Sequence, residues 1–291
     1  MRLAFWIISL LFACGSGTHE KTVIAITSSD KIVDTLHSKI LNEHRYIWIQ
    51  LPATSTNTTK KYPVVCLLDA EANFDATINI VKKLSAGSPG KAGDEVIIVG
   101  IGNIWSRYRD YSPSQIRSSA WVDEPTAKTT GGGLAFISFI ENELLPYIEK
   151  KYPVSSDRTL IGHSMGGLMV MEIFLKHELL FNNYIAIDPS MWWDDNKLLN
   201  ESAAILPGHV YKNSKLFVAI ANEQEKRMSM EQLKKDTSLK TAQIRPSFSL
   251  VDLIEKNKPN GLRFEWKFYK DEHHMTVNSP ATYDALKTIL N

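Results

Sequence analysis

The segment Gly162-His163-Ser164-Met165-Gly166 places a serine between two glycines, with the apolar run RTLIGH (158–163) before it and a helical pattern over about 165–177 after it. A hydroxyl on a tight strand-to-helix turn stands clear of the sheet, at a helix N-terminus whose dipole favours developing negative charge. That is what a nucleophilic serine needs. The five-residue pattern alone is weak, since chance supplies it in roughly one chain in ten of this length. The preceding strand, the following helix and a further glycine at 167 make it specific. A serine attacks only with a base at hand. Among eight histidines, His163 lies inside the turn, where its side chain is expected to face away from the attacking side. Near the C-terminus, DEHHMTV offers His273 and His274 side by side.

The elements that must position these groups alternate along the chain. RYIWIQLP (45–52) alternates with a period of two, whereas PVVCLLD (63–69) and DEVIIVGIG (94–102) are continuous apolar runs, as in parallel strands buried on both faces. NFDATINIVKKLSAG (73–87) has apolar residues at helical spacing and a glycine stop. A helix over about 133–151, the strands NYIAID (183–188) and SKLFVAIA (214–221), a helical stretch within 229–257, the strand LRFEWKFY (262–269) and a helix over about 279–290 follow. Alternating strands and helices predict an α/β fold, a mostly parallel sheet with helices on both faces, with an antiparallel start around KIVDTLHSKIL.

The chain has 291 residues with a net charge of +1, so no electrostatic case exists for a nucleic-acid partner. The start, MRLAFWIISLLFACGSG, has one positive charge and an apolar run from Leu3 to Ala13, too short to span a bilayer and suited to a secretory signal. Its ending resembles a bacterial lipoprotein signal. The expectation is cleavage after residue 13, lipid on Cys14, a single domain over 21–291, and an exported protein of the periplasm or cell envelope that meets the membrane through its anchor alone. Cys66, the only other cysteine, sits in an apolar strand and reads as a core residue; no metal-ligand spacing is present and no cofactor is called for.

Six stretches in order, YPVVCLLDAEANF, VIIVGIGN, RYRDYSP, LIGHSMGGL, AIDPSMWWDD and DEHHMTV, resemble the putative esterase family of α/β-hydrolases, which includes enterochelin esterases and esterase D. The resemblance covers roughly residues 30–290. It implies the α/β-hydrolase fold and a small-molecule ester substrate. In that fold nucleophile, acid and base follow in this order along the chain. The order leaves His273 and His274 as bases, and the family's loop aligns His274 before Met275-Thr276-Val277. The acid is expected after KLFVAIA, at Glu223, with Glu225 and Asp236 as alternatives. The oxyanion donors would be the backbone N–H groups of Met165 and of Ala70, where the family usually has glycine. Arg109 is placed beside the substrate or in an ion pair with Asp110. Trp192 and Trp193 offer flat apolar area to a substrate ring. The activity expected is ester hydrolysis through an acyl-enzyme. An acyltransferase using the same site, and a binding lipoprotein without turnover, are the two alternatives.

Overall fold

The computed structural model describes residues 31–52, 59–86, 95–103, 105–118, 121–222 and 228–290. The apolar leader with Cys14, and also Glu223 and Glu225, lie outside the described residues. Eight strands form one sheet: β1 Ile32–Ser38, β2 Glu43–Gln50, β3 Tyr62–Leu68, β4 Ile97–Ile101, β5 Val154–His163, β6 Asn183–Ile187, β7 Val210–Ala221 and β8 Asn260–Tyr269. Their order is β1-β2-β4-β3-β5-β6-β7-β8. The first two pairings, β1 with β2 and β2 with β4, are antiparallel, and the others are parallel.

The apolar runs dictate this. Every residue of β4 and β6 is buried, because helices cover both faces. Edge strand β1 instead alternates half-buried with exposed positions. Within β3 the side chains part by turns: Val65 and Leu67 face Phe74 and Ile78 of α1 (Ala70–Ala86) and Ala281 and Leu286 of α10 (Asn278–Ile289). Val64, Cys66 and Leu68 join the other core. There they meet Phe136 and Phe139 of α4 (Gly133–Phe139), Met169 and Phe174 of α6 (Met165–Lys176), and Phe248 and Val251 of α9 (Arg245–Asn257). Burial pushes the Cys66 thiol up to about 12, so it is an inert core group.

Two helical stretches differ from the expected outline. The span 133–151 is helical throughout but carries a π turn over Ile140–Leu144 before α5 (Leu145–Lys151). There Leu145 N–H bonds the carbonyl of Ile140, five residues back, just ahead of Pro146, which has no N–H to give. The span 229–257 is two helices, α8 (Met230–Lys235) and α9. Asp236 turns to extended backbone at the end of the first, and Pro246 opens the second. Three further helices lie in what reads as loop: α2 (Arg107–Tyr111), α3 (Glu124–Thr129) and α7 (Trp193–Ile205).

Buried charge pins α2 to the sheet. Asp110 is fully buried and paired with Arg45 of β2 and with Arg109, whose Nε lies 2.7 Å from Asp110 Oδ1. The rest of the Arg109 fork meets Glu43 of β2, at 2.7 and 3.1 Å. Of the two placements expected for Arg109, beside the substrate or in an ion pair with Asp110, the structure shows the ion pair, extended by Glu43 into a cluster, and its donors are not turned to the pocket. Removing one partner of such a cluster strands the others in low dielectric. Asp110→Ala should therefore cost about 3–5 kcal/mol of unfolding free energy, read by urea denaturation. A loss within error of zero would show that the cluster is not what fixes α2.

Candidate active site

Strand β5 and helix α6 meet at Ser164, whose φ of 60° and ψ of −120° are rare for a residue with a side chain. The surroundings over-determine that conformation. Ser164 N–H bonds the Ile187 carbonyl at 2.9 Å, and its own carbonyl accepts from Leu168 at 2.9 Å and Ser190 at 3.1 Å. Glycine is required at 162, where a Cβ would stand 2.3 Å from the Gly166 carbonyl oxygen. At 167 a Cβ would press within 3.0 Å of the Ile187 carbonyl.

His274 arrives from the loop between β8 and α10. Its Nε2 lies 2.9 Å from Ser164 Oγ and its Nδ1 lies 2.6 Å from Asp188 Oδ2. An ionised carboxylate can only accept, so the contact places the hydrogen on Nδ1 and leaves the Nε2 lone pair toward the serine. Asp188 directly follows β6 and is 7% exposed. Its N–H bonds the Ala219 carbonyl at 2.8 Å, and its Oδ1 accepts from the Ala221 N–H at 2.9 Å. Both carboxylate oxygens are therefore fixed.

Sequence reasoning assigns the acid to Glu223, with Glu225 and Asp236 behind it. The two glutamates lie outside the described residues, and the carboxylate that meets His274 is Asp188. Asp236 is half-buried and accepts from Ser238 and Thr241 at 2.6 and 2.9 Å, away from the imidazole. The missed signal was an aspartate at the carboxyl end of the strand beside the nucleophile strand, where His163 pairs with Ile187 and Asp188 comes next.

The neighbouring histidines do other work. His273 is exposed; its backbone carbonyl accepts from Thr276 and Val277 at 3.0 Å, which forms the turn that presents His274. His163 Nε2 donates to the His274 carbonyl at 2.8 Å, and the two rings lie 4.5 Å apart. Burial first, then the neighbouring His274, lowers the His163 pKa to about 4, so this ring is neutral at ordinary pH.

Met165 and Ala70 are each the first residue of a helix, α6 and α1. Amides at that position have no partner inside the helix and are available to an anion. Asp69, at φ 52°, turns the chain from β3 into α1. The methyl of Ala70 is accommodated at Gly100 of β4, where a Cβ would come 2.7 Å from the Ala70 Cβ and 2.6 Å from the Phe74 ring.

A cavity of about 520 Å³ opens on one side of Ser164 and His274, lined among others by Asp69, Glu71, Asn103, Arg107 and Asn278. Its arginine is Arg107, two residues before Arg109. Arg107 holds Asp69 through Nε and Nη2 at 2.9 and 3.0 Å, and donates to the His163 carbonyl at 3.1 Å. Even so, burial raises the Asp69 pKa above its usual value. On the other side a smaller cleft is walled by Pro189, Ser190, Trp192 and Ile244. Trp192 thus borders the site. Trp193 is 2% exposed and gives its Nε1–H to the Ser114 carbonyl at 3.3 Å, so it is core, contrary to its placement in the pocket.

Comparison with known proteins gives the family and the fold. The chain is 27% identical over 285 residues to the ferri-bacillibactin esterase BesA of Bacillus subtilis (strain 168), covering 94% of each chain. It is 25% identical over 252 residues to the siderophore enterobactin esterase of Emericella nidulans, covering 80% of this chain and 83% of that one. An IroE-like serine hydrolase from Shewanella oneidensis superposes with a TM-score of 0.79 at 32% identity, over 90% of this chain and 80% of that chain. The BES protein from Bacillus cereus, at 24% identity and a TM-score of 0.71, shares the fold. The model of the family described as "Putative esterase" matches residues 38–277. The chain belongs to the putative esterase family of the α/β-hydrolases and is a carboxylic ester hydrolase.

Proposed function

We propose that this protein hydrolyses ester bonds of a siderophore through a Ser164–His274–Asp188 triad and an acyl-enzyme. The observation that carries the reading is the imidazole of His274 held between Ser164 Oγ and the Asp188 carboxylate at 2.9 and 2.6 Å. The siderophore part rests on the relatives, BesA and the Emericella nidulans enzyme, named for esterase action on such molecules.

In the first step Nε2 of His274 takes the hydroxyl proton as Ser164 Oγ bonds to the ester carbonyl carbon. Asp188 stabilises the imidazolium that forms. The carbonyl oxygen becomes an oxyanion facing the N–H groups of Met165 and Ala70, at the positive ends of α6 and α1. The tetrahedral intermediate collapses, and His274 returns the proton to the leaving alcohol. Water, activated by the same imidazole, then releases the acid from Ser164. His163 donates a hydrogen bond and stays neutral, so it does not compete for the proton.

Ser164→Ala should abolish p-nitrophenyl acetate turnover with folding intact. Asp188→Asn should lower kcat by about 10³–10⁴-fold, because the amide reverses the tautomer of His274, while Glu223→Gln leaves most of it. The opposite ranking of the last two variants would restore Glu223 as the acid. The buried His163 gives a separate expectation. Its folded pKa of about 4 lies below the unfolded value of 6.5, so the unfolded chain binds more protons between them. Stability should be full above pH 6.5 and fall as the pH drops toward 4. His163→Gln should flatten that slope in urea titrations; an unchanged slope would place the proton elsewhere.

A further inference from the structure

Helix α6 is apolar almost throughout, and every residue from Met165 to Leu175 is buried. Glu172 breaks that pattern: it is a carboxylate only 2% exposed. It stands two turns along the helix from Ser164, about 12 Å at 1.5 Å per residue, and takes no part in the ester chemistry. Glu172 lines a cavity of about 230 Å³ between α6 and α7, bordered by the exposed Leu134 of α4.

A buried carboxylate is costly unless its charge is paired and its oxygens are bonded. Lys176, one turn on, stands 3.0 Å from Glu172 Oε1, but it also donates to Glu201 Oε2 of α7 at 2.6 Å. Glu172 Oε2 has no hydrogen-bond partner among the described residues. The second lysine of the cavity, Lys197, lies 3.7 Å from Asp194 and so serves a different carboxylate. Three carboxylates thus share two lysines. One negative charge is left over, and the unbonded oxygen is at the buried end of the cavity.

These groups select by exclusion. Other walls are apolar, Leu168, Leu198 and Pro113 among them. An anion is repelled by the uncompensated charge, and a hydroxyl fills the hydrogen bond but leaves the charge. A primary ammonium group answers both, through a charge-assisted bond to Oε2 that is stronger than a neutral one. An attached chain of a few carbons covers the leucines. The volume, below that of pockets for drug-sized ligands, suits such a small molecule.

We propose that the cavity between α6 and α7 is a binding site for a small primary aliphatic ammonium ion, with Glu172 Oε2 as the acceptor of its hydrogen bond. The site is separate from the catalytic cleft and does not depend on the reading of Ser164 as the nucleophile.

Calorimetric titration of the protein with n-butylammonium chloride, at fixed ionic strength, should give saturable binding at one site. n-Butanol, the same chain without the charge, should bind at least about tenfold more weakly. Glu172→Gln keeps the shape and removes the charge, and should weaken n-butylammonium about tenfold, the loss of one charge-assisted hydrogen bond. Glu201→Gln, at a half-buried position, serves if Glu172→Gln does not fold. Lys176 is then free to neutralise Glu172 alone, and the affinity should fall in the same direction. Absence of saturable binding to the parent shows a water-filled ion pair only and overturns the proposal. Equal affinity for the alcohol and the amine, or equal affinity in the parent and the variants that fold, overturns it as well.

Discussion

The hydrogen bond between Asp188 and His274 joins parts of the chain that are 86 residues apart, and the site depends on it. Without a carboxylate at Nδ1 the imidazole would rotate in a half-open loop, and Ser164 would have no aligned acceptor for its proton. Three strand ends converge there: β5 delivers the serine, β6 the aspartate, and β8 the loop with the histidine. The register of the parallel strands makes this possible. Two adjacent strands end level, so residues one step past their last pairs face the same volume. The Ala219 and Ala221 contacts on β7 then prevent the aspartate from turning away.

Much of this was legible in the residues. Continuous apolar runs marked strands buried on both faces, and the glycines around Ser164 marked the elbow. The chain order serine, carboxylate, histidine also holds for the three residues in contact, Ser164, Asp188 and His274. Sequence reasoning places the partner carboxylate one strand too late, after β7, whereas Asp188 follows β6. Sequence spacing does not say which strand end reaches an imidazole, because that depends on how far the loop after β8 folds back over the sheet. Asp188 was visible within AIDPSMWWDD, but the tryptophans made the segment read as a pocket wall.

The two arginines of RYRDYSP show a similar limit. On a helix of five residues, Arg107 and Arg109 are two apart and project in different directions. One reaches the cavity beside Ser164 and the other joins Glu43 and Asp110. Helical spacing could have separated them, but a helix this short carries no periodic signal of its own. Likewise Trp192 and Trp193 are adjacent, and the turn that follows sends one to the cleft and the other to the core.

The contact between Ala70 and Gly100 has a consequence for how this site can vary. Position 70 offers its amide at the start of α1, and its methyl occupies the space that a side chain at 100 would need. The two positions are therefore not free alleles. While alanine stands at 70, any residue but glycine at 100 must displace the turn that aims the amide. A glycine at 70 would relieve only part of that conflict, because Phe74 presses on the same spot. A side chain at 100 therefore requires smaller residues at both 70 and 74 of α1, so a buried position on β4 limits which residue can present the amide at the start of that helix.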